Sequence, residues 1–347
     1  MKKYKKVKLI DIIEFQRGKD LTKENMKNGK YPVVGSNGII GYHDKYTTEK
    51  PSITIGRSGN VGRPFIYDGK TWSHNTTLYI KKFKSINPYY IYYLLKNLHL
   101  EEYGGGSTVP TLNRNDVHQQ KVYIPEDLRY QNEVSNFFMS IDKKIELNNK
   151  INDNLEKQLV FYYTYYFLQN NTSTEKISLD KVADLYQPET ISIKQLDDNL
   201  DYFVFGANGI IGKYHKYNHE NYQIVIACRG ANCGITLMTL PKSWITGNAM
   251  VVKPKEYFPY KEFLYQTLKL KSPSYLTSGS AQPQITRENL SLYEIDINDK
   301  KKLDKFENFA SRIRKNIISN KLENISLIKL REFLLPILMN GQATISE

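Results

Sequence analysis

The chain is written twice, and that duplication constrains its fold more than any other feature. Gly35-Ser-Asn-Gly-Ile-Ile-Gly41 recurs as Gly206-Ala-Asn-Gly-Ile-Ile-Gly212, and Arg57-Ser-Gly-Asn-Val-Gly62 recurs as Arg229-Gly-Ala-Asn-Cys-Gly234. Lys45-Tyr46 returns as Lys216-Tyr217, and the only two tryptophans, Trp72 and Trp244, match each other. Gly106-Ser107 with Pro110 and Arg114 matches Gly279-Ser280 with Pro283 and Arg287. Order, spacing and rare residues agree at an offset of about half the chain. Two long copies make a tandem duplication rather than a solenoid, and 347 residues suit two domains.

Both copies carry the same local signals. Short runs of β-branched and aromatic residues (31–34, 53–55, 78–80; 202–205, 224–227, 250–252) lie between Gly/Asn clusters, which predicts short strands and tight turns. A helix is expected over 89–97 and again over 260–270. Each copy then closes on a long helix, from about Asp127 to Leu168 and from about Lys300 to Met339.

These two helices share one heptad seam. Val134, Phe138, Ile141, Ile145, Asn148, Asn152, Leu155, Leu159, Tyr162 and Tyr166 alternate spacings of four and three, and the same pattern in the second copy holds Phe306, Ala310, Ile313, Ile317, Asn320, Asn324, Leu327, Arg331, Leu334 and Leu338. A buried Asn in a seam costs stability and fixes register. An antiparallel pair whose facing positions sum to 472 sets Asn148 against Asn324, Asn152 against Asn320, Ile145 against Leu327 and Leu155 against Ile317, with Arg331 as a polar intruder facing Ile141. The expected fold is therefore α+β: two homologous mixed domains joined by an antiparallel coiled coil with pseudo-two-fold symmetry. A helix of about 40 residues is roughly 60 Å long, a rigid spacer between two similar heads.

Composition narrows the partners. Lys+Arg is 49 against Asp+Glu 36, a net charge of +13, which suits nucleic acid or an anionic membrane surface. Tyrosine appears 27 times; it can stack on bases or bond phosphates, although an AT-rich genome also uses it freely. The mean hydropathy is −0.54 and no apolar run approaches a membrane span. The basic start is followed by a polar stretch rather than a signal peptide, so a soluble cytoplasmic protein is expected. Cys228 and Cys233 cannot form a disulfide framework.

The helices and the segments entering them carry a family resemblance. Ile124-Pro125, Leu128 and Gln131, followed by Ile141-Asp-Lys-Lys-Ile-Glu-Leu-Asn148, resemble the first central helix of type I restriction-modification specificity subunits. Leu335-Pro-Ile-Leu-Met-Asn-Gly341 resembles the C-terminal ending of that family, and Gly279-Ser-Ala-Gln-Pro-Gln-Ile285 resembles the motif that closes a recognition domain. The first copy departs from that motif, with Val109 where Gln282 stands.

The resemblance implies a target-recognition domain at 1–125, a central helix at 126–170, a second recognition domain at 171–298 and a C-terminal helix at 299–347. It implies a non-catalytic subunit that reads a two-part double-stranded DNA site, one half per head, with the gap set by the helices. It places S-adenosylmethionine in separate modification subunits, two in number, docked on the helices, and ATP and Mg in separate restriction subunits. No cofactor or metal is expected in this chain. A non-DNA structural or adaptor protein with a coiled-coil spacer is the alternative; a fusion carrying its own methyltransferase or nuclease has no chain left to encode it.

Other motifs weigh little. Asn87-Pro-Tyr-Tyr90 resembles the amino-methyltransferase signature but lacks its second proline, and its counterpart reads Phe258-Pro-Tyr-Lys261; a proline opening a helix explains both. Gly35-x-x-Gly38-x-x-Gly41 and Gly56-x-x-Gly59-x-x-Gly62 lack phosphate-loop spacing and read as turns. Cys228 and Cys233 have no second ligand pair at zinc spacing, and His215 and His219 match Asp44 and Thr48.

The DNA-binding candidates are polar residues on glycine-rich loops. Arg57 with Arg229, Asn60 with Asn232, and Arg114 with Arg287 are shared by both copies and suit a backbone grip. Arg63, His74 and Thr108 in the first copy, and Lys242, Gln282 and Gln284 in the second, differ and suit base reading. Lys2, Lys3, Lys5 and Lys6, and Lys81, Lys82 and Lys84, form basic clusters suited to phosphates or to a solvated face.

Overall fold

The computed structural model describes residues 3–104, 110–169, 175–279, 283–297 and 299–345. The first half contains β1 (Tyr4–Lys8), α1 (Leu9–Ile12), β2 (Ile13–Arg17), β3 (Tyr31–Gly35), β4 (Gly38–His43), β5 (Ser52–Gly56), β6 (Pro64–Tyr67), β7 (Trp72–Ser73), β8 (Thr77–Phe83), α2 (Pro88–Asn97), α3 (Arg114–Gln119), β9 (Lys121–Pro125) and α4 (Leu128–Tyr163). The second repeats the order: β10 (Glu175–Ser178), α5 (Leu179–Val182), β11 (Ala183–Tyr186), β12 (Tyr202–Gly206), β13 (Gly209–Tyr214), β14 (Ile224–Ala227), β15 (Thr236–Met238), β16 (Trp244–Ile245), β17 (Ala249–Pro254), α6 (Lys261–Leu270), α7 (Arg287–Ser291), β18 (Glu294–Ile297) and α8 (Lys300–Met339).

Sheet topology repeats as faithfully as element order. The first half pairs its strands as β2-β8-β5-β6, β4-β3-β7 and β1-β9, and the second as β11-β17-β14-β15, β13-β12-β16 and β10-β18. The β3–β4 hairpin turns through Ser36-Asn37 with Gly38 at φ +104°, and the matching hairpin turns through Ala207-Asn208 with Gly209 at the same angle; glycine reaches this region without a Cβ clash. Each hairpin shifts register at the same place, between Val33 and Val34 and between Val204 and Phe205. The tryptophans also do one job: Trp72 donates to the Lys19 carbonyl at 3.4 Å and Trp244 to the Glu189 carbonyl at 3.3 Å.

The chain divides into two compact units, Met1–Leu147 with Glu323–Glu347, and Asn148–Leu322. Each holds one head and part of both long helices. Both helices begin on an aspartate that satisfies an otherwise unpaired first-turn N–H: Asp127 accepts from the Arg129 N–H at 2.9 Å and Asp299 from the Lys301 N–H at 3.0 Å. Past Tyr163 the first widens into a π-helical turn, Thr164–Gln169. No helix among the described residues is long and apolar enough to cross a membrane.

In the first unit, Leu9, Phe15, Ile55, Leu78, Tyr90 and Leu94 of the head share a core with Val134, Phe138 and Ile141 of α4 and Leu335, Leu338 and Met339 of α8. The two helix segments run antiparallel, with Asp142 against Arg331 and Lys144 against Glu323. Arg331 is thus no unpaired intruder: its guanidinium reaches the carboxylate beside Ile141 instead of the apolar side chain itself. Gly341 ends α8 at φ +71°, where the Gln342 N–H bonds the Ile337 carbonyl at 2.9 Å. A Cβ there would lie 2.7 Å from the Tyr4 ring, whose hydroxyl donates to the Leu338 carbonyl at 3.0 Å.

In the second unit, Ile224, Ile226, Val252, Phe263 and Leu264 pack with Leu159, Tyr163 and Phe167 and with Phe306, Ala310, Ile313 and Ile317. The segments again run antiparallel: Asn320 donates to Asn152 Oδ1 at 2.9 Å, and Tyr162 lies against Phe309 with ring centroids 4.2 Å apart. Leu155 is half-buried against this core, as Ile145 and Leu327 are against the first. Asn148 and Asn324, at the other Asn level, are both buried.

Candidate nucleic-acid interface

In each head a glycine-rich loop presents an arginine at the end of a buried strand. After β5 the loop folds back on itself, with the Gly56 N–H bonded to the Arg63 carbonyl at 3.1 Å and the Gly62 N–H to the Gly56 carbonyl at 2.9 Å. A Cβ on Gly56 would lie 1.7 Å from the Asn60 carbonyl oxygen, so the turn can close only on glycine. The second head has Ala227 at this position, in a loop one residue longer. Its strand ends there, and Ala227 makes the closing bonds, to the Ile235 carbonyl and from the Gly234 N–H, both at 2.9 Å.

These loops lean on the segment that leads into the short helix near the end of each head. The Leu112 N–H bonds the Arg57 carbonyl at 2.8 Å, and Arg114 follows at the start of α3, where Asn113 caps by accepting from the Asn115 N–H at 3.0 Å. In the second head Arg229 bridges to Gln284, the Ile285 N–H bonds the Cys228 carbonyl at 3.0 Å, and Arg287 opens α7 behind its Thr286 cap.

The structure thus brings Arg57 and Arg114 together. They line one open cleft of about 450 Å³, together with Arg17 at the end of β2, over Leu78. Burial and the neighbouring Arg17 hold the Arg57 guanidinium below its ordinary value. Asn60 and Arg63 line a different cleft, with Tyr92, Lys96, Glu101 and Arg331, and the Arg63 guanidinium lies 5.5 Å from the Phe65 ring centre. Burial there pushes Lys96 down, opposed by Asp142.

His74 is bonded within the first head. Its ring bonds Thr76 Oγ1 at 3.1 Å and lies 3.8 Å from Asp20, while the Thr76 carbonyl accepts the Arg57 N–H at 2.8 Å. Asn232 bonds Asn208 at 2.6 Å, tying the arginine loop to the hairpin turn. Lys242 is not brought to the Arg229 loop. It follows the far end of β15, at φ +50°, with its ammonium 3.8 Å from Glu220. Thr108 and Gln282 lie outside the described residues.

The sequence reading missed Arg17. A signal was present: its counterpart, two residues before the carbonyl that Trp244 bonds, is Gln187, so the position differs between copies as a specialised one would.

The weaker motifs have structural uses. Asn87 caps α2, accepting from the Tyr90 N–H at 2.8 Å, with Pro88 at the first helical position. Cys228 and Cys233 are free thiols directed at backbone carbonyls of Asn248 and Pro283, each at 3.1 Å. His219 bonds the Tyr186 hydroxyl at 2.9 Å. Among the described residues no group of three His, Cys, Asp or Glu side chains could hold a metal ion.

Known proteins match the chain over nearly its whole length. The family model for the type I restriction modification DNA specificity domain matches residues 1–157 and again 171–324. A protein of Mycoplasma pneumoniae, described as a candidate type I specificity subunit, is 24% identical over 318 residues, covering 85% of each chain. The crystal structure of the S subunit of a type I restriction-modification system from M. genitalium superposes with a TM-score of 0.69 at 16% identity, over 99% of this chain and 97% of that one.

Proposed function

The chain belongs to the type I restriction-modification DNA specificity family, and from that premise we propose that each of its two heads reads one half of a split double-stranded DNA target. As a specificity subunit it recognises DNA and leaves catalysis to other subunits. The observation that carries the split reading is the arginine loop, built once per head and leaning each time on a segment that ends in a second arginine, Arg57 with Arg114 and Arg229 with Arg287. Such loops hold phosphates and place neighbouring side chains at base edges.

The long helices act as the spacer between half-sites and as the docking surface for two modification subunits. Those subunits bring S-adenosylmethionine; restriction subunits, where they join, bring ATP and Mg. The complex works in the cytoplasm. A helix of about 60 Å is long enough to separate half-sites by a DNA turn of about 34 Å or more.

Sequencing methylated host DNA tests this reading. The expected result is methylation at one motif with an unspecified gap, in which R57A weakens selection of one half and R229A of the other. Methylation at a continuous motif, or loss of both halves with either variant, overturns it.

A further inference from the structure

The first head concentrates positive charge where the second does not. Arg17, Arg57 and Arg114 converge on one cleft over Leu78, its rim formed by Thr111, Asn113 and Asn115, and among the described residues no carboxylate lines it. Among the described residues none of the three guanidiniums has an ion-pair partner. Three like charges sharing one cleft repel one another, and the arrangement becomes favourable when an anion enters.

The second head has dismantled the same place. Gln187 follows β11 where Arg17 ends β2, and its amide is already engaged with the Gly247 carbonyl at 3.0 Å and the Cys228 sulfur at 3.1 Å. Two residues on, Glu189 stands where the first head has Lys19, as the paired tryptophan bonds show. Across these two positions the formal charge goes from +2 to −1.

We propose that Arg17, Arg57 and Arg114 form a pocket for one DNA backbone phosphate, present in the first head and lacking in the second. A guanine edge offers its two acceptors to a single arginine fork, whereas a phosphodiester group presents acceptor lone pairs in several directions and accepts from more than one. The first head therefore grips duplex DNA independently of sequence, and the second depends more on its base contacts. The inference rests on the DNA-recognition reading above.

The full-length chain is titrated with fluorescent duplexes across a salt series, using the motif duplex and a scrambled one, for wild type, R17Q and R17K. R17Q installs the residue that the second head carries at this place, and Arg17 is exposed, so the fold tolerates it. The expected result is a fall in affinity of roughly 5–10-fold on both duplexes alike, with the slope of log affinity against log salt reduced by about one; R17K keeps most of that slope. A loss confined to the motif duplex at unchanged slope makes Arg17 a base reader and overturns the proposal, as does no change at all. Inorganic phosphate is titrated without DNA: tight binding lost in R17Q assigns the pocket to a free anion and also overturns it. Wild type that fails to prefer its motif over the scrambled duplex defeats the recognition reading instead, and leaves the R17Q comparison on the scrambled duplex to judge the pocket.

Discussion

The two units repeat one plan and differ in where they bury arginine. In the second, Arg314 of α8 is 1% exposed; its Nε lies 3.2 and 3.1 Å from the oxygens of Glu262, itself fully buried, its Nη1 meets Glu156 of α4, and its plane lies 4.8 Å from the Tyr265 ring centre. In the first, Arg331 of α8 meets Asp142 of α4 with 21% and 28% of their side chains exposed. Arg314 and Asp142 occupy matching positions in the two copies, so the sign of the charge follows the helix rather than the repeat. The less exposed pairs set an acid of α4 against a base of α8 in both units, Glu156 with Arg314 and Asp142 with Arg331, whereas the exposed Lys144–Glu323 pair runs the other way. Duplication supplied the shared seam, and the charges then distinguished its two strands, favouring α4 with α8 over like with like.

The largest test of this difference removes each arginine in turn. R314A, measured at pH 8 where Glu262 is ionised, leaves that carboxylate buried without its countercharge and is expected to cost about 3–5 kcal/mol in urea unfolding. R331A leaves Asp142 with the Tyr93 hydroxyl and Lys96 and is expected to cost about 1 kcal/mol. Equal costs would mean that burial does not separate the two pairs.

A smaller effect is expected at the arginine loops. Gly56→Ala forces a Cβ into the Asn60 carbonyl 1.7 Å away, so the loop must widen as the second head's does, at about 2–3 kcal/mol. Ala227→Gly, at the matching place in the second head, meets no such contact and is expected to cost about 1 kcal/mol, from a lost buried methyl and a freer backbone. Thermal melting of both variants checks the asymmetry; a neutral Gly56→Ala would show that the closing turn tolerates a side chain.

Local rules made much of this architecture legible. The strands at 31–35, 52–56, 202–206 and 224–227, the helix opened by Pro88 and both long helices stand where β-branched runs, a capped proline and heptad spacing put them. The Asn152–Asn320 pair emerged from spacing alone, because a seam repeated in two helices admits few registers. The site was harder. Arg57 and Arg114 are distant in sequence and meet only because the segment before Arg114 hydrogen-bonds the arginine loop. Arg17 reaches the same cleft through strand pairing with Leu78. His74 bonds Thr76 and Lys242 lies beside Glu220, away from the Arg229 loop, and sequence spacing does not show such contacts.

Acidity probes the buried pair from another direction. Burial pushes the Glu262 carboxyl up to about 7, with Glu307 and Glu156 adding to it and Arg314 opposing. The folded state therefore holds a proton that the unfolded chain, with an ordinary glutamate near 4.5, has released. Stability from this group is complete below about 4.5 and falls as pH rises toward 7. Glu307, raised mainly by burial, acts in the same sense; Glu156, drawn down by Arg314 and Lys269 against its own burial, acts oppositely in more acid solution. The urea midpoint is expected to fall between pH 5 and pH 7.5, and Glu262→Gln to flatten that fall. A midpoint that rises over this range in wild type would show Glu262 ionised by Arg314 throughout.

The smallest effect tests the register itself. Asn320 Nδ2 donates to Asn152 Oδ1 at 2.9 Å, and Asn152 Nδ2 reaches the Ile317 carbonyl at 3.4 Å, so each amide is partly satisfied by the other helix. Removing one amide strands the other at a largely apolar seam, whereas replacing both removes the unmet bond along with the pair. N152L and N320L are each expected to cost about 1–2 kcal/mol, and the double variant less than their sum by a coupling of about 0.5–1.5 kcal/mol. Zero coupling would mean that the seam holds its register through apolar packing alone. A double variant that is as stable as wild type but forms mixed oligomers would show the asparagines serving pairing specificity at the expense of stability, the role that the matching charges on α4 and α8 already suggest for the rest of the seam.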